Sequence, residues 1–246
     1  SDDHRTYVFC SEDRGETWTS LATGLPSYEP CHAIAEDPRH ENLLYLGTEY
    51  GCYVSLDRGL HWQPLGRGLP TVAVRDLFVQ DRDGDLIAAT HGRGVFVLDI
   101  APLRQFDAAV AASPLHLFVP EDGVLWRMTR RGLLGNRDYR APNPPYGVPI
   151  YLHAAADLAA APKVTITDVT GKQVAEITGT THRGLQALHW DATSNRRIVQ
   201  PGVYCAKVKV GDDEQRRMFT LRADPLSSAG DGDEASPNPN QAREED

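Results

Sequence analysis

The sequence has no apolar run near the ~20 residues that cross a bilayer as a helix, so a membrane-spanning helix is not expected within it. It has no basic excess either. Its 25 Lys+Arg face 34 Asp+Glu, a net charge of -9, and phosphate backbones are bound through a basic field. A nucleic-acid partner is therefore not expected. The opening Ser1-Asp2-Asp3-His4-Arg5 is polar and acidic, the reverse of a signal peptide's basic start and apolar centre. The nine histidines form no His-x-x-x-His or His-Glu-x-x-His, so no metal site is expected. Neither Gly-x-Ser-x-Gly nor a phosphate loop occurs, so no cofactor is expected. Cysteine is scarce: Cys10, Cys31, Cys52 and Cys205 show no Cys-x-x-Cys spacing. Four cysteines allow three complete pairings, and buried thiols are an equal alternative.

Turn formers, by contrast, are plentiful, with 21 Gly and 17 Pro. They point to many short strands rather than long helices, and the length allows one large or two ordinary domains. The charge is uneven. Residues 225–246 carry six acids and one base, Arg243, so this tail contributes -5 of the -9. It has one Leu and no aromatic residue, too little apolar surface to offset chain entropy, and reads as a disordered acidic tail.

The first hundred residues repeat with a period near 44. Ser11, Asp13, Gly15 and Trp18 recur at Ser55, Asp57, Gly59 and Trp62, and Gly24-Leu25-Pro26 recurs at Gly68-Leu69-Pro70. The segments between match at an offset of 43, with Gly51 answering Gly94 and Val54 answering Val97. Four short strands are predicted per repeat: Ala33–Ala35, Leu43–Leu46, Cys52–Ser55 and Trp62–Leu65. A period in the low forties fits one four-stranded propeller blade. Residues 11–18, SEDRGETW, follow Ser-x-Asp-x-Gly-x-Thr-Trp, with Thr17 in the seventh place; residues 55–62, SLDRGLHW, follow it with His61 in place of Thr. In such a turn the Asp carboxylate accepts backbone N–H bonds, Gly supplies positive φ and Trp buries ~150–250 Å². Asp13 and Asp57 are thus expected to hold turns rather than perform chemistry. A third copy decays: after Val95–Asp99 comes Ile100-Ala101-Pro102-Leu103 instead of the motif.

The second half reads differently. A connector with helical character at Ala108–Ala112 precedes strand signals at Ile150–His153, Lys163–Asp168, Gln173–Ile177, Gly184–Trp190, Val203–Val210 and Arg217–Leu221. About seven strands in some 80 residues fit an immunoglobulin-like sandwich. The expected organisation is all-β: 1–104 as the last two or so blades of a multi-bladed β-propeller, 105–139 as connector, 140–224 as an immunoglobulin-like β-sandwich, and 225–246 as the tail.

The motif at 11–18 and 55–62 is the Asp-box, or bacterial neuraminidase repeat. With PLRQF, APNPPYG, VTITDVTGKQV, LHWD and PGVYCAKVKV following in order, residues 1–224 resemble the C-terminal end of bacterial sortilin-like proteins, often catalogued as glycosyl-hydrolase-like or sialidase-like. The last domain is similar to the immunoglobulin-like domain of the flagellar hook-capping protein. The resemblance implies a larger, secreted or otherwise extracytoplasmic propeller whose upstream blades would be this segment's partners. It implies no particular reaction. Two departures stand out: Asp3-His4-Arg5 abuts the first strand, and Thr193–Arg197 is a polar insertion read as loop.

Candidate sites are few. The Phe/Tyr-Arg-Ile-Pro segment of sialidases is absent, and the carboxylates nearest to a glycosidase pair are Glu49 with Asp81, Asp83 or Asp85, the last three in what reads as a strand-connecting turn. Thr90-His91-Gly92-Arg93-Gly94 is the most chemically loaded loop. His91 and Arg93 could contact an anionic ligand, although the parallel Thr48–Gly51 favours a plain hairpin turn. The functional expectation is a non-catalytic module for protein or glycan binding and assembly. The alternative is a glycoside hydrolase of sialidase or xyloglucanase type with its catalytic carboxylates in upstream blades.

Overall fold

The computed structural model describes residues 3–65, 68–126, 145–210 and 213–225. The Arg-rich stretch through Asn143-Pro144 and the acidic tail beyond Pro225 lie outside the described residues. The fold is all-β, relieved by two short helices, and the chain divides into two compact units, Ser1–Asp107 and Ala108–Asp246.

The first unit is a run of antiparallel sheets that follows the repeat. β1 (Phe9–Cys10) pairs with β2 (Thr19–Ser20) across the turn at Ser11–Trp18. β3 (Cys31–Asp37), β4 (His40–Thr48), β5 (Cys52–Ser55) and β6 (Gln63–Pro64) form a four-stranded meander in chain order, with the second copy of the turn, residues 55–62, linking β5 and β6. β7 (Val74–Gln80), β8 (Asp85–Thr90) and β9 (Val95–Asp99) form a three-stranded meander. Where a third copy of the turn would have led to a fourth strand, Pro102 sits in the first turn of helix α1 (Ala101–Arg104), a place that tolerates its missing N–H.

Two layers of apolar side chains join these sheets. Val8 meets Leu44, Leu46 and Trp62 between the first sheet and the second. Leu43, Tyr45, Cys52 and Val54 meet Val74, Leu77, Leu86 and Ala88 between the second and the third. Gly47 allows the closer contact: a Cβ there would lie 2.9 Å from the Val74 side chain and carbonyl.

The second unit is a two-sheet sandwich. Helix α2 (Ala108–Ala112) stands where helical character was expected. It is followed by β10 (His116–Leu117), β11 (Gly123–Leu125), β12 (Val148–Ala154), β13 (Lys163–Asp168), β14 (Gln173–Thr178) and β15 (Gly184–Trp190). Then come the small hairpin β16 (Thr193–Ser194) and β17 (Arg197–Ile198), and the long hairpin β18 (Gly202–Val210) and β19 (Asp213–Ala223). One sheet has the order β10-β12-β15, the other β11-β19-β18-β13-β14. Alternation along β12 turns Val148, Ile150, Leu152 and Ala154 inward, onto Val164 and Ile166 of β13 and Ala206 and Val208 of β18. Trp190 stands edge-on to Tyr204 and Phe219, with centroids 5.2 and 5.9 Å away.

Two stretches differ from the sequence reading. The connector contributes β10 and β11 to the sandwich sheets. Both strands are too short for any periodicity to show, and β11 is held by parallel pairing with β19 across about a hundred residues. The insertion after Trp190 folds into the β16–β17 hairpin, with positive φ at Ala192, Asn195 and Arg196. All four cysteines are free thiols; burial pushes the Cys52 thiol up to about 12.

Candidate functional site

The two Ser-x-Asp-x-Gly turns, at 11–18 and 55–62, share one hydrogen-bond scheme. In the first, Ser11 Oγ donates to Asp13 Oδ1 (2.8 Å) and accepts from the Gly15 N–H (2.7 Å). Thr17 gives its N–H to Asp13 Oδ1 (2.8 Å) and its hydroxyl to Oδ2 (2.5 Å). In the second, Ser55 Oγ bonds Asp57 Oδ1 (2.8 Å) and the Gly59 N–H (2.8 Å). His61 gives its N–H to Asp57 Oδ1 (2.9 Å), and its Nδ1 lies 2.6 Å from Oδ2. The imidazole thus takes the place of the threonine hydroxyl. Arg14 and Gly15, and likewise Arg58 and Gly59, have positive φ. The Thr17 hydroxyl bond leads the effects that hold Asp13 down at about 2. Burial of Asp57 acts upward, but the bonds from His61 and Ser55 outweigh it and leave the carboxyl below its ordinary range.

The tryptophans differ. Trp62 is buried and donates from Nε1 to the carbonyl of Leu21 (2.8 Å), one repeat earlier. Trp18 is 63% exposed and turns its Nε1 back to the Gly15 carbonyl (3.2 Å). The burial expected of both rings occurs only where a preceding repeat packs against the motif.

At one end of the second and third sheets, four polar positions recur in register. The pairing register slips between Cys31 and Ala33 and again between Val74 and Asp76. His32 and Arg75, 43 residues apart, are thus the extra residues of equivalent β-bulges, a device that re-aims a side chain. The adjoining turns match too. Thr48 N–H bonds the Gly51 carbonyl and Thr90 N–H the Gly94 carbonyl (2.9 and 3.0 Å). Glu49 N–H reaches back to Pro30 and His91 N–H to Ala73 (2.9 and 2.8 Å). Glu49 and His91 therefore occupy corresponding places.

These positions bring chemistry together across two repeats. His32 Nε2 lies 2.7 Å from Glu49 Oε2. Arg75 Nη1 lies 3.1 Å from His32 Nε2 and 3.2 Å from Nδ1, and Nη2 lies 3.5 Å from Glu49 Oε2. An atom equidistant from both ring nitrogens in the ring plane would collide with the carbon between them, so the guanidinium lies over the imidazole face, a stacking geometry arginine favours. The His32 hydrogen bond, with the nearby charges of Arg75 and His91, holds Glu49 below its ordinary range against an opposing desolvation. His32 is mostly covered, at 19% side-chain exposure, while Glu49 and Arg75 are half open at 36% and 46%. His91 and Arg93 are exposed in the neighbouring turn. The arrangement offers a fixed guanidinium, an oriented carboxylate and an imidazole ring to a ligand that carries acids or hydroxyls.

Behind this end sits a group that sequence reading missed. Glu29 is buried, and its carboxylate accepts from the Thr48 hydroxyl and from the Tyr53 hydroxyl, the latter at 2.9 Å. Its backbone is tied to the Thr6 hydroxyl. Burial and the Glu29 charge push the Tyr53 phenol up to about 12. His32 and Arg75 were missed as well. Their only signal was the shared offset of 43 at an unremarkable strand start.

The carboxylates considered as a glycosidase pair do not meet. Glu49 lies at the Val74–Thr90 end of the sheets, whereas Asp81, Asp83 and Asp85 lie at the Gln80–Asp85 end. Strand β7 lies between, about 20 Å at ~3.3 Å per residue. A glycosidase pair stands ~5–9.5 Å apart. Asp81 instead accepts from Arg39 Nε (2.5 Å) and Arg104 (3.4 Å). Arg104 also bonds the buried Asp37 (2.8 Å), so this end is a structural clamp between the second and third sheets. Asp83 pairs with Arg82 (2.6 Å). Among the described residues, no group of three or more His, Cys, Asp or Glu is placed to hold a metal ion, and no helix is long and apolar enough to cross a membrane.

No protein-family model and no curated protein matches the chain. Solved structures match it at low similarity. The extracellular domain of a one-component system of B. thetaiotaomicron is 12% identical over 89% of this chain, with a TM-score of 0.31. A Salmonella alpha-2-macroglobulin mutant is 16% identical over 78% of it, with a TM-score of 0.28. The BSP domain of a biofilm-associated protein is 10% identical over 80%, with a TM-score of 0.26. The chain spans only 28%, 12% and 30% of those three chains.

Proposed function

We propose that the chain is a non-catalytic extracytoplasmic binding and assembly module, part of an Asp-box propeller of the bacterial sortilin-like kind, and that the rim built by His32, Glu49, Arg75, His91 and Arg93 is its ligand contact for a protein or a glycan. The observation that carries this reading is the stack of Arg75 on His32 with Glu49 bonded beside it. Two repeats contribute to one half-open cluster, whereas the other acidic turn of the same sheets is consumed by a clamp. The Asp-box aspartates, with their serines, glycines and the residues Thr17 and His61, hold turns. Trp18 and Phe9 are exposed, whereas Trp62, the counterpart of Trp18, is covered by the preceding repeat, which supports further blades of the same type as a partner.

The test is a glycan and peptide array probed with the intact chain. Arg75→Ala is expected to lower any specific signal at least tenfold while the unfolding midpoint moves little, and Arg93→Ala to lower it less. Binding that survives Arg75→Ala removes the rim from the account. Hydrolysis of a glycoside that stops with Glu49→Gln would replace binding by the hydrolase reading.

A further inference from the structure

The chain holds only four lysines, Lys163, Lys172, Lys207 and Lys209, against 21 arginines. All four fall on neighbouring strands β13 and β18 or on the β13–β14 turn. Three of them line a groove of about 760 Å³ on the sandwich. One wall is the apolar run Leu158-Ala159-Ala160-Ala161-Pro162, and the floor includes Thr165 and Thr167. The two acids in the groove are already engaged: Glu176 with Lys163 (2.8 Å) and Glu214 with Arg216. Among the described residues, Lys207 and Lys209 have neither an ion pair nor a side-chain hydrogen bond. They stand two apart on β18, on the face opposite the buried Ala206 and Val208, so their stems rise ~6.6 Å from one another. No aromatic ring lines the groove, so a sugar would find no stacking platform, whereas an extended acidic chain finds alternating cations beside an apolar wall.

We propose that this groove is the docking site of the chain's own acidic C-terminal segment, with Asp231 and Asp233 on Lys207 and Lys209. Charge and reach both favour that occupant. Residues 225–246 carry a net -5. Lys207 and Lys209 pair in register with Arg216 and Glu214, seven and nine residues before Ala223, or about 23 and 30 Å back along β19. Asp231 and Asp233 lie eight and ten residues beyond Ala223 and reach about 28 and 35 Å when extended. They are the first acids after Asp224, and they repeat the two-residue spacing of the lysines. Tethering gives the segment an effective concentration near the millimolar range, so a weak ionic contact suffices. The proposal is independent of the rim and its ligand.

Zero-length carbodiimide cross-linking of the intact chain, followed by peptide mass spectrometry, tests it. A mixture of light and heavy-isotope protein separates links within a chain from links between chains. The account predicts links from Lys207 or Lys209 to Asp231, Asp233 or Glu234 within one chain. Their yield should fall at least fivefold in 1 M salt, where the screening length is ~3 Å. In Lys207→Gln/Lys209→Gln, links to Lys163 and Lys172 should not rise to replace them. Links spread evenly over all four lysines, links only between isotopically different chains, or no link to the segment at all would each overturn it.

Discussion

The two turns at 11–18 and 55–62 share five of their eight residues and the same Ser–Asp–Gly hydrogen bonds, yet one buries its tryptophan and the other presents it to solvent. The turn is therefore a local object: Ser, Asp, Gly and a seventh-position donor suffice, and His61 serves as well as Thr17. The burial is not local. Trp62 is covered because Leu21 of the preceding repeat lies against it and supplies a carbonyl. Among the described residues nothing equivalent lies against Trp18. The motif prepares a docking surface, and the neighbouring repeat decides whether it is used.

The largest way to break this contrast is truncation of the rings. Trp62→Ala is expected to cost about 3–5 kcal/mol, as for other large buried aromatics. Trp18→Ala should stay within about 0.5 kcal/mol, the usual range of an exposed site. Urea unfolding followed by circular dichroism reads both. The glycines give a smaller difference. At Gly59 an added Cβ meets positive φ and the Leu21 side chain 2.8 Å away, whereas at Gly15 it meets positive φ alone, with the nearest atom at 3.8 Å. Gly59→Ala should cost about 2–4 kcal/mol and Gly15→Ala about 1–2 kcal/mol.

The smallest effect lies in the pH dependence. Asp13 is held down at about 2 by its Thr17 bonds, against ~3.9 when unfolded. Its stabilising share is therefore complete above the unfolded value and is lost as pH falls through about 2. A carboxyl-carbon NMR titration should place the Asp13 midpoint there. In Thr17→Val the midpoint should climb toward the ordinary value. Asp57 should also titrate below the ordinary value and should respond to His61→Ala instead.

The same division between local and non-local explains what the sequence disclosed. Within the repeat, strand positions were readable because each is bounded by Gly or Asp turns, as at Asp57-Arg58-Gly59, and the second sheet follows them closely. Strands β10 and β11 escaped notice because two or three residues carry no period, and their partners lie far along the chain. His91, Arg93 and Glu49 stood out as turn residues with chemistry. Their neighbours His32 and Arg75 did not, because a bulge is a property of pairing between strands, visible only once the register is known. The carboxylates at 81–85 looked close to Glu49 in composition, but a strand's length separates them.

The most direct measurement is ¹⁹F NMR of protein labelled with 5-fluorotryptophan, with the Trp18 and Trp62 signals assigned by substitution and compared in H₂O and D₂O. If the preceding repeat sets the burial, the Trp18 signal shows a large solvent-isotope shift, that of Trp62 shows almost none, and Leu21→Ala gives Trp62 a shift approaching that of Trp18. Equal shifts for the two rings in the unsubstituted protein, or a Trp62 signal indifferent to Leu21→Ala, would contradict the account.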